Sequence, residues 1–255
     1  MATMAAPSAG HDDARFFLKL AIAIGVTIFA AFTMHMALGR STFAQPLVYH
    51  AHGIVFMGWV VIFMVQHWLA ANGSIALHRR LGWIALAWVV LMLVFGLAIT
   101  VTVVQRGTTP FFFLPQHFLV ANPLTLLAFT GLVVAAIAMR KRSDWHRRLH
   151  LCAMAMILGP AFGRLLPSPF LIPWAFEVTT MAGFIFPLIA IAREWRQGAV
   201  HPAWRWGLPL LPLMLLLGYG LGHSAFAGEI YGWVTAGTPG AAVDPLAYGA
   251  PPPGL

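Results

Sequence analysis

Histidine is the residue in surplus. The 255-residue chain carries 11 His against 7 Asp and Glu. Imidazole is the commonest metal ligand and the side chain that exchanges protons near neutral pH. His50 and His78 lie 28 residues apart (78 − 50), and His117 and His146 lie 29 apart (146 − 117). The string His78-Arg-Arg-Leu-Gly-Trp echoes His146-Arg-Arg-Leu-His-Leu. Such spacing reads as a same-direction repeat of helix pairs, an architecture that membrane proteins use. His146 and His150 are one turn apart and share a helix face. His50 and His52 point about 200° apart, so one of the two can face a common interior. His67 falls about 60° off the stripe of His52 and about 100° off that of His50.

The elements that must carry these residues follow from composition. The chain is 60% hydrophobic and 9% charged, where a soluble domain carries about 25% charged residues. Apolar runs of about 20 residues each are long enough to cross a bilayer. Seven are expected, at about 16–38, 49–71, 78–104, 116–139, 145–166, 171–192 and 206–224. The fold class is therefore an all-α polytopic membrane protein, about seven transmembrane helices around a four-helix core. It forms one transmembrane domain, 1–236. The first run has no small-residue cleavage site after a short apolar core and reads as an uncleaved span. Pro115 suits the first turn of the fourth run, whereas Pro123 should kink or end it. The stretch Gly237–Leu255 has five Pro and four Gly in 19 residues. It is expected to be an extended or disordered tail unless a partner holds it.

Lys and Arg set the orientation. Arg15, Lys19, Arg79, Arg80, Arg140, Lys141, Arg142, Arg147, Arg148, Arg193, Arg196 and Arg205, 12 in all, fall on one side, against Arg40, Arg106 and Arg164, three, on the other. The expectation is a bacterial inner-membrane protein with its N-terminus cytoplasmic and its C-terminus periplasmic. The net charge of +8 then belongs to topology and the lipid bilayer, with no nucleic acid as partner.

In that topology the histidines form two layers. His50, His52 and His117 lie near the outer surface, with His35. His78, His146 and His150 lie near the inner one, with His67. All seven other than His35 are candidate cofactor residues. Those nearest the helix starts (His50, His52, His78, His117, His146 and His150) are also candidate metal ligands. Bis-histidine haem b needs one His from each of two facing helices. His50 or His52 with His117 meets that need outside, and His78 with His146 or His150 meets it inside.

The layout over residues 48 to 165 resembles the cytochrome b561 family. That resemblance implies a four-helix core with two haem b groups ligated from alternate helices, and electron transfer with quinol as a donor. The strings His50-Ala-His52, Trp59, Gln66, His78-Arg-Arg-Leu-Gly and Trp145-His-Arg-Arg-Leu, followed by Gly159-Pro-Ala and Arg164, are similar to those of a group of uncharacterised bacterial multi-pass inner-membrane proteins. That similarity implies location and no reaction.

Arg164 is a candidate for binding a haem propionate or a lipid phosphate, or for snorkelling to the interface. Glu177 is the acid placed within an apolar run, and so a candidate proton or cation site or a hydrogen-bonded structural carboxyl. Met34-His-Met36 with His50-Ala-His52 is a weaker candidate for copper. Cys152 is the single cysteine, which excludes an intramolecular disulfide and covalent haem attachment through CxxCH. Neither lysine lies in the last run, which excludes a retinal protein. No HExxH, GxSxG or P-loop string occurs. Two other functions stay open. One is an accessory subunit of a respiratory or photosynthetic complex, anchored by the tail. The other is a metal- or haem-handling assembly factor.

Overall fold

The structure is a computed structural model that describes residues 9–251. Every regular element in it is helical. Five helices are long and apolar enough to cross a membrane, or up to six if a bent pair is counted as one span. The protein is thus an all-α polytopic membrane protein. Its chain divides into two compact units, Met1–Met92 and Leu93–Leu255.

The first unit holds α1 (Ala9–Ala37), α2 (Leu47–Ala71) and the first half of α3 (Ile75–Gln105). α1 packs along α2 around Ala21, Ile24 and Phe63, all buried. α2 and α3 are tied by the indole N–H of Trp88, which donates to Val55 O at 2.7 Å.

The second unit holds the rest of α3, then α4 (Pro115–Ala138), α5 (Ser143–Met156), α6 (Gly159–Leu165), α7 (Ala175–Met181) and α8 (Ile185–Arg196). It is completed by α9 (Ala203–Gly207), α10 (Leu210–Gly222) and α11 (Ala225–Thr235). α4 is its hub and packs against α5, α10 and α11. Pro115 occupies its first turn as expected, and the helix runs on through Pro123 to Ala138. The run expected at 145–166 is instead two helices. Pro160 has no N–H to give and would crowd the carbonyl four residues back, that of Met156, which is where α5 stops. The last expected span is extended by α11, set at 76° to the α9–α10 segment. Ser224 caps the new helix by accepting from Ala227 N at 3.2 Å, the ordinary N-cap contact.

The C-terminal stretch is held by its own unit over the residues described. Tyr231 donates its hydroxyl to Gly240 O (3.0 Å), Gln116 N donates to Pro245 O (3.0 Å) and Gly249 N to Phe111 O (3.1 Å). Gly240 packs so closely on the Val104 carbonyl that no Cβ would fit. A Pro/Gly-rich segment is compatible with this because its glycine lets backbone meet backbone. Residues 252–255 of the expected tail lie outside the described residues.

One end of the second unit is closed by a polar network. Arg148 Nε donates to Glu194 Oε1 at 2.7 Å, with both side chains more than nine-tenths buried. Glu194 Oε2 accepts from His201 N and from Trp204 Nε1, each at 2.8 Å. Ala203 N donates to His201 Nδ1 (3.1 Å), so Nε2 carries the ring proton and donates to Asp144 Oδ2 (2.8 Å). Burial alone would raise the Asp144 carboxyl. The His201 ring N–H and the Trp145 backbone N–H outweigh it and hold the group below the usual carboxylate range.

Arg148→Met leaves Glu194 buried without its cation, and the expected cost is about 3–5 kcal/mol. Thermal unfolding in detergent reads it, and an unchanged midpoint contradicts the role given to the pair. Because Asp144 titrates lower folded than unfolded, its contribution is complete above the ordinary carboxylate range. It is lost as pH falls through the depressed value. Asp144→Asn is expected to flatten that acid limb of the stability curve while changing stability at neutral pH by less than about 1 kcal/mol, since the side chain is half exposed. Unfolding midpoints measured across the acid range test this.

Candidate functional site

At the other end of α4 the packing is different. α10 approaches α4 through two glycines one turn apart, Gly218 against Ala121 and Gly222 against His117. A Cβ on Gly222 would stand 2.9 Å from His117 Cα. This small-x-x-x-small spacing lets membrane helices meet backbone to backbone. Gln116, buried, donates its carboxamide N–H groups to Gly222 O (2.9 Å) and Ser224 O (3.1 Å). It thereby satisfies the Gly222 carbonyl at the end of α10, where a helix runs out of donors, and adds a second hydrogen bond to Ser224 O, which already accepts from Gly228 N (3.2 Å).

His117 is placed by these contacts. Its ring is buried between Phe176 (ring centroids 5.1 Å apart), Tyr219 (6.1 Å) and His223 (5.5 Å). Its Nε2 stands 3.5 Å from Glu177 Oε1. That is within ion-pair range but too long for a good hydrogen bond. Both Glu177 oxygens are buried and accept no hydrogen bond, and His117 Nε2 makes none. Glu177 sits in the first turn of α7, where a negative charge is favoured by the helix dipole. Tyr219 stacks on Trp174 (5.3 Å, 27°) and meets His223 at a tilt (4.3 Å, 37°). Tyr248, from the C-terminal stretch, donates to Pro173 O at 3.2 Å. The cluster opens on a groove of about 430 Å³ lined by Trp174, Glu177, Met181, Leu215, Leu216 and Tyr219.

The other candidate residues have local partners. In the first unit His50 Nε2 lies 3.1 Å from Gln45 O, and His52 packs on Phe56. His67 Nδ1 donates to Phe63 O one turn back (2.9 Å). His78 Nδ1 donates to the backbone carbonyl of Gln66 (3.2 Å), and the Gln66 carboxamide, oriented with its nitrogen toward His78 O (3.1 Å), accepts from Gly82 N (3.0 Å). Gln66 therefore fastens α3 to α2. In the second unit His146 Nδ1 donates to Ala136 O (2.7 Å), one of the last-turn carbonyls of α4 that lack an intrahelical donor. His150 meets His146 edge to face at 4.6 Å. Arg164 turns back on its own helix and donates to Pro160 O (2.7 Å).

The two repeat-equivalent histidines are thus set alike, each with Nδ1 on a backbone carbonyl of the preceding helix. His146 carries its proton at Nδ1, the arrangement of imidazoles that bind metal through Nε2. His78 has the same arrangement, with Nδ1 donating to the Gln66 backbone carbonyl and Nε2 left as the ligating nitrogen. His117 directs its Nε2 at Glu177, and ligation would require the two to part. Among the described residues no group of three or more His, Cys, Asp or Glu is placed to hold a metal ion. The structure therefore brings together His117 and Glu177 from the sequence candidates and adds Gln116, Tyr219 and His223. Gly218 and Gly222, one turn apart in the sequence, were the available signal for that end of the molecule.

Fold and site together define a multi-pass helical membrane protein with an acid–imidazole cluster at one end of its helices. No family model, characterised protein or solved structure matches the chain.

Gly222→Val is expected to push α10 off α4, separate His117 from Glu177 and destabilise the second unit by about 1–3 kcal/mol. Gly220→Val, where a side chain meets open space, is expected to be near neutral. Equal unfolding midpoints for the two variants contradict the packing described.

Proposed function

We propose that the chain is an integral protein of the bacterial cytoplasmic membrane, with its N-terminus inside. Its working centre is the His117–Glu177 pair, a proton-exchanging site near the outer surface. The basic residues support the orientation, since 12 of the 15 Lys and Arg fall on one side of the expected spans.

The observation that carries the reading is Glu177. A buried carboxylate that accepts no hydrogen bond is costly, and the protein leaves both oxygens in that state. A proton relieves the cost in either of two ways. On Glu177 it makes a neutral pair. On His117 it makes an ion pair that a shift of under about 1 Å converts to a charge-assisted hydrogen bond. Ionisable groups in membrane segments are functional by default for this reason.

Electron transfer through haem b is the second reading. It is supported by the Nδ1–H bonds of His67 and His146 to backbone carbonyls. One preparation separates the two. Infrared difference spectra between acid and neutral pH are expected to show a protonated carboxyl band that Glu177→Gln removes. Reduced-minus-oxidised visible spectra of protein made with haem present are expected to be flat. An infrared band that survives Glu177→Gln overturns the first reading. Stoichiometric b-type haem that is lost in His146→Ala establishes the second.

A further inference from the structure

The groove beside Glu177 has a composition that selects one kind of occupant. Glu177 lines its floor, with the two unsatisfied carboxyl oxygens covered just beneath the surface. Its wall is the Trp174–Tyr219 stack, and the remainder is Met181, Leu215 and Leu216. Trp174 is 49% and Leu216 72% exposed, so the groove opens sideways, where a membrane protein meets lipid. A molecule that enters there is lipid-soluble.

The charge on the floor decides the rest. No Lys or Arg among the described residues pairs with Glu177, and the one ionisable group within ion-pair range is His117. The other titratable groups of the cluster are His223 and Tyr219 on the α10 side and Tyr248 of the C-terminal stretch. A plain acyl chain would leave the carboxyl unpartnered. A cation would satisfy it, and aromatic faces attract organic cations with about 2 kcal/mol or more where water is excluded.

On the proton-exchange reading, we infer that the groove binds a small lipophilic organic cation, an amine or quaternary ammonium compound. Glu177 turns its covered carboxyl outward to pair with the charge, the cationic carbons lie against Trp174 and Tyr219, and the apolar body runs along Met181, Leu215 and Leu216. One proton leaves Glu177 for each cation bound to the protonated site, so net charge is conserved. The phosphate that accompanies a phospholipid ammonium would face the same carboxylate, which disfavours a lipid headgroup as occupant.

The test uses the full chain in phosphatidylglycerol nanodiscs and radiolabelled tetraphenylphosphonium, with protein-free nanodiscs as the blank. Saturable binding is expected. It should weaken about tenfold or more in Glu177→Gln and by a smaller factor in Trp174→Leu. Trp174→Leu replaces a half-exposed ring and serves as the second variant should Glu177→Gln fail to fold. Neutral tetraphenylmethane is expected not to compete.

Absent binding, equal binding by wild type and Glu177→Gln, or equal competition by tetraphenylmethane overturns the inference. So does full displacement when phosphatidylethanolamine is added, which would make a headgroup the occupant. If the infrared band of Glu177 is present while binding is absent, the cation site falls and the proton-exchanging site stands. If the band is absent and binding depends on Glu177, the reverse holds.

Discussion

The close approach of α10 to α4 governs the second unit. It exists because Gly218 and Gly222 put no side chain between the helices. Without it His117 would have no wall of Tyr219 and His223, and Gln116 could not reach the carbonyls of Gly222 and Ser224. In lipid an apolar side chain gains nothing by leaving its solvent for a neighbouring helix. Packing distance and the satisfaction of backbone groups therefore do what hydrophobic burial does in water. Gln116 is the clearest case. One carboxamide reaches both carbonyls that flank the 76° turn between α10 and α11.

The two ends of this unit handle buried charge in opposite ways. At the Arg148–Glu194 end, Glu194 receives donors from Arg148, Trp204 and the His201 amide, and the group is locked. At the His117–Glu177 end the carboxyl has a single neighbour at 3.5 Å and no hydrogen bond. A hydrogen bond to a charged group is worth about 1.5–3 kcal/mol, and leaving such a group unmade costs at least as much. The fold meets this demand fully in one place and leaves it unmet in another.

Much of the architecture was legible in the sequence because span length and apolarity are set by the bilayer. The helix bounds of α2, α3 and α4 differ from the expected runs by three residues or fewer. The errors fall where hydropathy is silent. Leu158-Gly159-Pro160 is apolar enough to continue a span, yet Pro160 ends α5 by removing a donor. Ala225–Thr235 was not anticipated because nothing in its composition separates a bent continuation from a loop. Pro123 was expected to kink or end α4, and the helix does not end there but continues to Ala138. At the site, Glu177 and His117 were each visible by residue type. Their meeting was not, since it depends on which faces of α4, α7 and α10 touch, and periodicity in uniformly apolar helices carries little of that information. The histidines near helix ends read as metal ligands by spacing. The structure gives His50, His78 and His146 partners among nearby carbonyls or amides.

The backbone amide of Gln116 is bonded to Pro245, and Phe111 O to the amide of Gly249. A chain emerges from the ribosome N-terminal end first, so α4 is made some 130 residues before the segment that finishes its first turn (245 − 116 = 129). Membrane insertion of every earlier helix therefore precedes completion of the His117–Glu177 end. During that interval the nascent protein is a set of helices whose His117–Glu177 corner is still unbuilt. Synthesis thus imposes an order in which the spans come first and the closure of that corner last.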